Sequence, residues 1–367
     1  VSLPFLDLIG NTREQGRGHG EALREDIAHN LEVYFERFEK EAGIPRDELL
    51  RRAGHGLEAL REQAPDYVEG MEGIADASKR KLSEIAMLNL RYELLYHAIS
   101  RLKIEGRLRP PSQDGCTAFA LLPEATENGH LLLGQNWDWI PACKGALIRS
   151  DEPGGPRFLG FTEAGIFGAK IGMNDEGLGL AINGMGSTED DWARMEKPFH
   201  LRCHEILGTR KIDDAVSVLC ATPRSCTANF LLAQSPARAM DIELAPTRHR
   251  TLEAEGGVLV HANHFVDPVA AGVVEPPDPR RHLSQTRHAR LEELLHASKP
   301  VSAVKLRSHL RDHEVNHPNS LCRHPDTELP DSQRIISKIS IIMDLDERRF
   351  WVTDGQPCMN EYERYEL

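Results

Sequence analysis

Apolar residues recur at helical spacing through the first hundred positions and then give way to short β-type runs. From Glu21 to Lys40, Leu23, Ile27, Leu31, Tyr34, Phe35 and Phe38 fall three and four apart, which predicts one amphipathic helix with a continuous apolar stripe. Further helices are predicted over Asp47–Gln63, carrying Leu49, Leu50, Leu57 and Leu60; from Pro65, carrying Tyr67, Met71 and Ile74; and over Leu82–Ile99, apolar enough to be mostly buried. Arg107–Asp114, with Pro110-Pro111-Ser112, breaks the pattern. Cys116–Leu122 and His130–Gln135 then read as two strands of a hairpin, separated by a turn-forming stretch from Pro123 to Gly129. Strands are also predicted at Ala146–Ser150, Arg157–Thr162, Ile166–Ile171, Leu178–Asn183, Thr227–Gln234, Ala239–Glu243 and Gly257–Ala262. Helices are predicted at Pro198–Gly208, Ile212–Ala221, Ser284–Ala297 and Val301–Leu310, and two strands, Ser337–Leu345 and Phe350–Thr353, close the chain. Helices on either side of a block of antiparallel strands predict an α+β fold with the strands sandwiched.

Length and composition narrow the class without choosing a function. The 367 residues predict two to three domains, or one large body with an appendage. A net charge of −13, with no long Lys/Arg cluster to offset it, argues against nucleic acid and anionic membrane as partners. The most apolar stretch, Ile335–Leu345, is much shorter than the roughly 20 residues of a membrane span. The opening Val1-Ser2-Leu3-Pro4-Phe5 lacks the pattern of a secretory signal. Seven widely spaced cysteines form no paired framework, so a reducing, cytoplasmic compartment is expected.

Three clusters carry candidate chemistry. Cys116 stands where the Pro-rich break meets the first strand, and Gly134-Gln-Asn-Trp-Asp138 ends the partner strand, so Asn136 and Asp138 are expected near Cys116. A buried, inert cysteine is the ordinary alternative. His261-Ala-Asn-His-Phe265 is a second cluster. The third, His313-Glu-Val-Asn-His317, spells a zinc-protease motif, but it needs a helix and Pro318 follows directly, so no metal is expected from it. Gly177-Leu-Gly179 turns into a strand with no helix after it, which argues against a phosphate cradle.

Asp114-Gly-Cys-Thr117, Gly134-Gln-Asn-Trp-Asp138, Asn263-His-Phe265, Ile341-Ile-Met-Asp-Leu345, Gly355-Gln-Pro-Cys358 and the closing Tyr362 and Tyr365 together resemble the acyl-CoA:6-aminopenicillanate (isopenicillin N) acyltransferase family. Gly16-Arg-Gly-His-Gly20 resembles that family's opening. The resemblance implies the N-terminal nucleophile hydrolase fold, a four-layer αββα sandwich of antiparallel sheets. It also implies a precursor that cuts itself between Gly115 and Cys116, giving a helical small subunit, 1–115, and a catalytic large subunit, 116–367, within one globule. By the same resemblance Cys116 is the nucleophile, Asp138 holds its freed α-ammonium, and Asn263 is the oxyanion-hole side chain. Asn183 is then a second asparagine of the site and Arg323 its supporting arginine. The expected substrate is a small amide or an acyl-CoA; no cofactor is expected, with a CoA thioester standing only as acyl donor. Assembly into a homo-oligomer is left open. Penicillin-forming members close with a peroxisomal tripeptide, whereas this sequence closes Tyr365-Glu-Leu367, which favours a broader amide hydrolase or acyltransferase. A protein of this fold that neither cuts itself nor catalyses is the alternative of another class.

Overall fold

The computed structural model describes residues 3–107 and 115–367. The first third holds strand β1 (Phe5–Ile9) and helices α1 (Thr12–Ala22), α2 (Arg24–Ala42), α3 (Arg46–Gln63), α4 (Pro65–Ser78), α5 (Leu82–Asn89) and α6 (Arg91–Ile104). Then follow β2 (Gly115–Leu121), β3 (Leu132–Trp139), β4 (Gly145–Asp151), β5 (Phe158–Glu163), β6 (Ile171–Asn174), β7 (Leu178–Gly184), α7 (Phe199–Leu207) and α8 (Ile212–Cys220). The rest comprises β8 (Ala228–Gln234), β9 (Arg238–Leu244), β10 (His249–Leu252), β11 (Val258–His261), α9 (Arg281–Ala297), α10 (Ala303–Leu310), β12 (Ile336–Asp344), β13 (Arg349–Asp354) and β14 (Glu363–Glu366).

The strands form two sheets, an eight-stranded one ordered β1-β4-β5-β6-β7-β8-β9-β10 and a six-stranded one ordered β11-β2-β3-β12-β13-β14. The sheets face each other, with β2 and β3 packed against β7. Helices α7 and α8 cover the outer face of the eight-stranded sheet, and α9 covers β2 and β11 on the other side. Every residue of β2 and β3 is buried, as a sheet covered on both faces requires. Alternation along β2 sorts its side chains: Cys116, Ala118 and Ala120 join the core between the sheets, while Phe119 and Leu121 join Leu291, Leu295 and Leu306 under the helices. This is the αββα sandwich; the named strands of the described residues pair antiparallel except that β1 runs parallel to β4.

Most predicted elements are present, and the differences have local causes. The six apolar residues of the first predicted stripe are all buried, five of them on α2 and Leu23 at the break between α1 and α2, so the helix predicted from Glu21 starts at Arg24. The predicted helix over Leu82–Ile99 is two helices, because Leu90 leaves the helical conformation (φ −104°, ψ 5°). The strand expected at Ile166–Ile171 starts only at Ile171 and runs to Asn174, since Gly165 and Gly168 take positive φ and turn the chain first. Strands β1, β10 and β14 and helix α1 were not signalled by apolar periodicity. Helix α1 is glycine-rich because it touches α4 backbone to backbone: a Cβ on Gly16 would stand 2.0 Å from the Gly70 carbonyl oxygen, and one on Gly20 2.5 Å from that of Ile74. The Pro-rich break at 108–114, including Asp114, and the opening Val1-Ser2 lie outside the described residues.

Candidate active site

Cys116 lies second on β2, buried at 2% exposure, and its backbone N–H donates to Asn263 Oδ1 at 2.8 Å. Asn263 follows β11 and is fixed by three further contacts. Its N–H donates to Ser284 Oγ (2.7 Å), its Nδ2 donates to the Gly184 carbonyl (3.0 Å), and its Oδ1 also accepts from Arg287 Nη2 (2.8 Å). Two donors on Oδ1 set the amide's orientation. One side chain thereby joins the end of β7 in one sheet to the head of β2 in the other.

The β2–β3 hairpin sets Gly115 opposite Asp138 and Cys116 opposite Trp137. Asp138 is fully buried; its Oδ1 accepts from Ser337 Oγ on β12 at 2.7 Å. Burial pushes its carboxyl up to about 6, although Arg287, Arg323 and the Ser337 hydroxyl pull the other way. Arg323 comes from the loop before β12. Its backbone N–H donates to the same Ser337 hydroxyl (2.8 Å) and its Nη2 donates to Asn319 Oδ1 (2.6 Å). Gly115 is closed in between these two side chains: a Cβ there would stand 2.5 Å from Arg323 Nη1 and 2.7 Å from Asp138 Oδ2.

The structure thus brings Gly115, Cys116, Asp138, Asn263 and Arg323 together. Asn183 sits deeper, one residue before Gly184. It donates weakly to the His261 carbonyl (3.5 Å) and accepts from Asn229, which in turn donates to the buried Asp241. Asn136, expected near the cysteine, pairs with Thr117 instead and spends its Nδ2 on the carbonyls of Leu310 and Leu321, which anchors the loop carrying Arg323. His313–His317 is not helical: α10 ends at Leu310, and Glu314 pairs with Arg290.

Sequence reasoning missed Arg287. This buried residue of α9 donates to Asn263 Oδ1 and, at 3.3 Å, to Thr117 Oγ1, and burial lowers its pKa against the pull of Asp138 and Cys116. Its signal was an arginine on the buried stripe of Ser284, Arg287, Leu291 and Leu295, where the helical period calls for an apolar residue. Beside Asn263 and Arg287 opens a cleft whose wall holds Tyr96, Ile99 and Met185 together with Lys103, Arg280 and Arg281. Lys103 is paired with Asp278 and Arg281 with Glu275, and Arg280 and Arg287 add two further cations to the lining, so the cleft is net positive. Among the described residues no helix is long and apolar enough to cross a membrane.

Two facing sheets between helical layers, with a buried Gly-Cys step at the head of an inner strand, have the architecture of the N-terminal nucleophile hydrolase fold. The model of the acyl-coenzyme A:6-aminopenicillanic acid acyl-transferase family matches residues 125–357, and the chain belongs to that family. The match covers Asp138, Asn183, Asn263, Arg287 and Arg323 and begins after Cys116. The chain is 28% identical over 325 residues to the 40 kDa form of acyl-coenzyme A:6-aminopenicillanic-acid-acyltransferase of Emericella nidulans, covering 86% of this chain and 83% of that one. It is 26% identical over 217 residues to the β-alanyl-dopamine/carcinine hydrolase of Drosophila melanogaster, covering 54% and 53%. Among solved structures, a variant of the conjugated bile acid hydrolase of Clostridium perfringens aligns over 69% of this chain and 97% of its own, with 13% identity and a TM-score of 0.48.

Proposed function

We propose that this chain is a self-cutting cysteine amidohydrolase or acyltransferase, which breaks a small amide through a thioester on Cys116. The observation that carries the reading is the hold on the Gly115–Cys116 step: Asn263 Oδ1 on the Cys116 N–H, with Arg323 and Asp138 closed around Gly115. In the first reaction the Cys116 thiol attacks the Gly115 carbonyl carbon. A C–S bond forms, the C–N bond breaks, and the departing nitrogen takes a proton as the α-amine. Water then releases the Gly115 carboxylate and restores the thiol. The small part, 1–115, and the large part, 116–367, stay within one globule.

The freed amine has an ordinary pKa of about 7.7–8.0, close to what a general base at neutral pH needs, and it sits on the nucleophile's own residue. Asn263 Oδ1 is already placed to accept from that nitrogen. Its Nδ2 gives one hydrogen to Gly184 and keeps the second as a donor toward a developing oxyanion. The Asp138 carboxylate supplies the counter-charge when the amine is protonated, and Arg323 lines the space that Gly115 leaves. Asn183 supports the Gly184 end of this array. The acyl-enzyme is discharged to water or to an amine; one relative is named a transferase and another a hydrolase, two fates of one intermediate.

A denaturing gel with intact-mass measurement tests the reading. Wild-type protein should give fragments of about 13 and 28 kDa, a division of the chain in proportion to length, with Cys116 as the new N-terminus. Cys116→Ala should remain one chain. A wild type that stays whole and shows no thiol-dependent amide turnover refutes it. Product analysis with and without an amine acceptor separates transfer from hydrolysis.

A further inference from the structure

Outside the site described above, three side chains of one loop segment and a fourth from beyond β13 converge on one point. His313, Cys322, His324 and Cys358 each present one nitrogen or sulfur, and these four atoms all lie within 4.8 Å of one another. His324 Nε2 is 3.0 Å from His313 Nε2, 3.3 Å from Cys358 Sγ and 3.9 Å from Cys322 Sγ. An imidazole nitrogen carries one hydrogen or one lone pair and cannot serve three such neighbours. A cation at the centre can. From Zn–S bonds of about 2.3 Å and Zn–N bonds of about 2.0–2.1 Å, a tetrahedron has edges of roughly 3.3 Å between nitrogens and roughly 3.5 Å between nitrogen and sulfur. The three separations from His324 Nε2 fall within about half an ångström of those edges, and the other three are no longer than 4.8 Å.

We infer that His313, Cys322, His324 and Cys358 form a tetrahedral Cys2His2 zinc site. Two thiolates and two neutral imidazoles exactly balance a divalent charge, which suits a half-buried location, and thiolate sulfur selects zinc over calcium or magnesium. On binding, each cysteine thiol loses its proton to solvent as its Zn–S bond forms, and no electron moves. Four protein donors leave no open position, so the site is structural rather than catalytic. It would tie the loop after α10 to the turn after β13. Cys322 and His324 face the metal while Arg323, between them, faces Gly115 on the opposite side. The zinc thereby fixes the segment from which the arginine reaches the scissile step. The donors differ from those of the His313–His317 sequence motif, in which a helix was needed and is not formed; His317 stays outside the set, although its ring lies 5.5 Å from that of His324. This departs from the expectation of a metal-free chain.

The test is metal content of the full-length chain purified from zinc-supplemented expression, with no need for turnover. One equivalent of zinc per chain is expected, and replacement by Co²⁺ should give tetrahedral d–d bands with a thiolate charge-transfer band in the near ultraviolet. Zinc content should fall at least tenfold in Cys358→Ser and in His313→Ala and stay at one equivalent in His317→Ala. The cobalt spectrum of the wild type decides the matter should a variant fail to fold. Less than a tenth of an equivalent of zinc both as purified and after reconstitution, a cobalt spectrum without the thiolate band, or a Cys322–Cys358 disulfide in the isolated protein overturns the inference.

Discussion

Gly115→Ala probes the closed step before Cys116 most directly. A Cβ at 115 would lie 2.5 Å from Arg323 Nη1 and 2.7 Å from Asp138 Oδ2, where ordinary contact needs about 3.5 Å. Arg323 must retreat by about 1 Å and Asp138 by nearly as much. Neither is slack: Arg323 is held by Asn319, Asp138 by Ser337, and the Cβ of Asp138 itself stands 3.2 Å away. Forcing them apart costs about 1–3 kcal/mol as overpacking of a filled site. Because a shift of about 1 Å in a reacting group is worth roughly 100-fold in rate, self-cleavage should slow by about two powers of ten. Stability is to be compared in the uncut background, Cys116→Ala against Cys116→Ala with Gly115→Ala, by chemical denaturation. Cleavage is followed on Gly115→Ala alone by gel and mass after a synchronised start of synthesis. Cleavage within threefold of wild type, or unchanged stability, would show that the two side chains do not hold this step.

Asp138, with its carboxyl raised to about 6, makes the folded uncut chain bind a proton that the unfolded chain has already lost. Its contribution to stability is therefore complete below pH 4 and falls away as pH rises to 6, by about 3 kcal/mol; Cys116→Ala should show this slope in denaturant titrations, and Cys116→Ala with Asp138→Asn should lack it. Arg287→Met should reduce kcat/KM of the cut enzyme by about 10²–10³ through loss of the contact that orients Asn263, read from progress curves on an amide substrate, with secondary structure by circular dichroism retained. Gly16→Ala drives a methyl against the Gly70 carbonyl and should lower stability by about 2 kcal/mol or more; a wild-type midpoint in urea would contradict the backbone contact between α1 and α4.

How legible the molecule was depends on what kind of force placed each part. The stripe Leu23, Ile27, Leu31, Tyr34, Phe35 and Phe38 could be read because burial alone makes that helix, and the β2–β3 hairpin because turn chemistry and β-type runs coincide. Helix α1 could not, since its buried face is glycine, whose role is the absence of a side chain. Strands β1, β10 and β14 are held by pairing at sheet ends and edges, which a single strand's pattern does not reveal. At the site, Cys116 and Asp138 were placed near each other by the hairpin, Asn263 and Arg323 were added through the resemblance, and the structure gathers all four around Gly115. Arg287 was legible in principle as a charge on an apolar stripe. The full set around His313 was not, because Cys358 is brought beside His313, Cys322 and His324 only by the tertiary fold.

Asn263 is bonded at one end to the last residue of β7 and at the other to the second residue of β2, so its side chain spans the seam between the two sheets. It acts as a mechanical link: any sliding of one sheet over the other is delivered to the Cys116 nitrogen before either sheet loses a strand. The layers need not separate for the reacting geometry to be lost; a displacement too small to register as unfolding is enough. The working range of this protein is therefore set by the rigidity of the interface between its sheets, and the sheets themselves can outlast the activity they support.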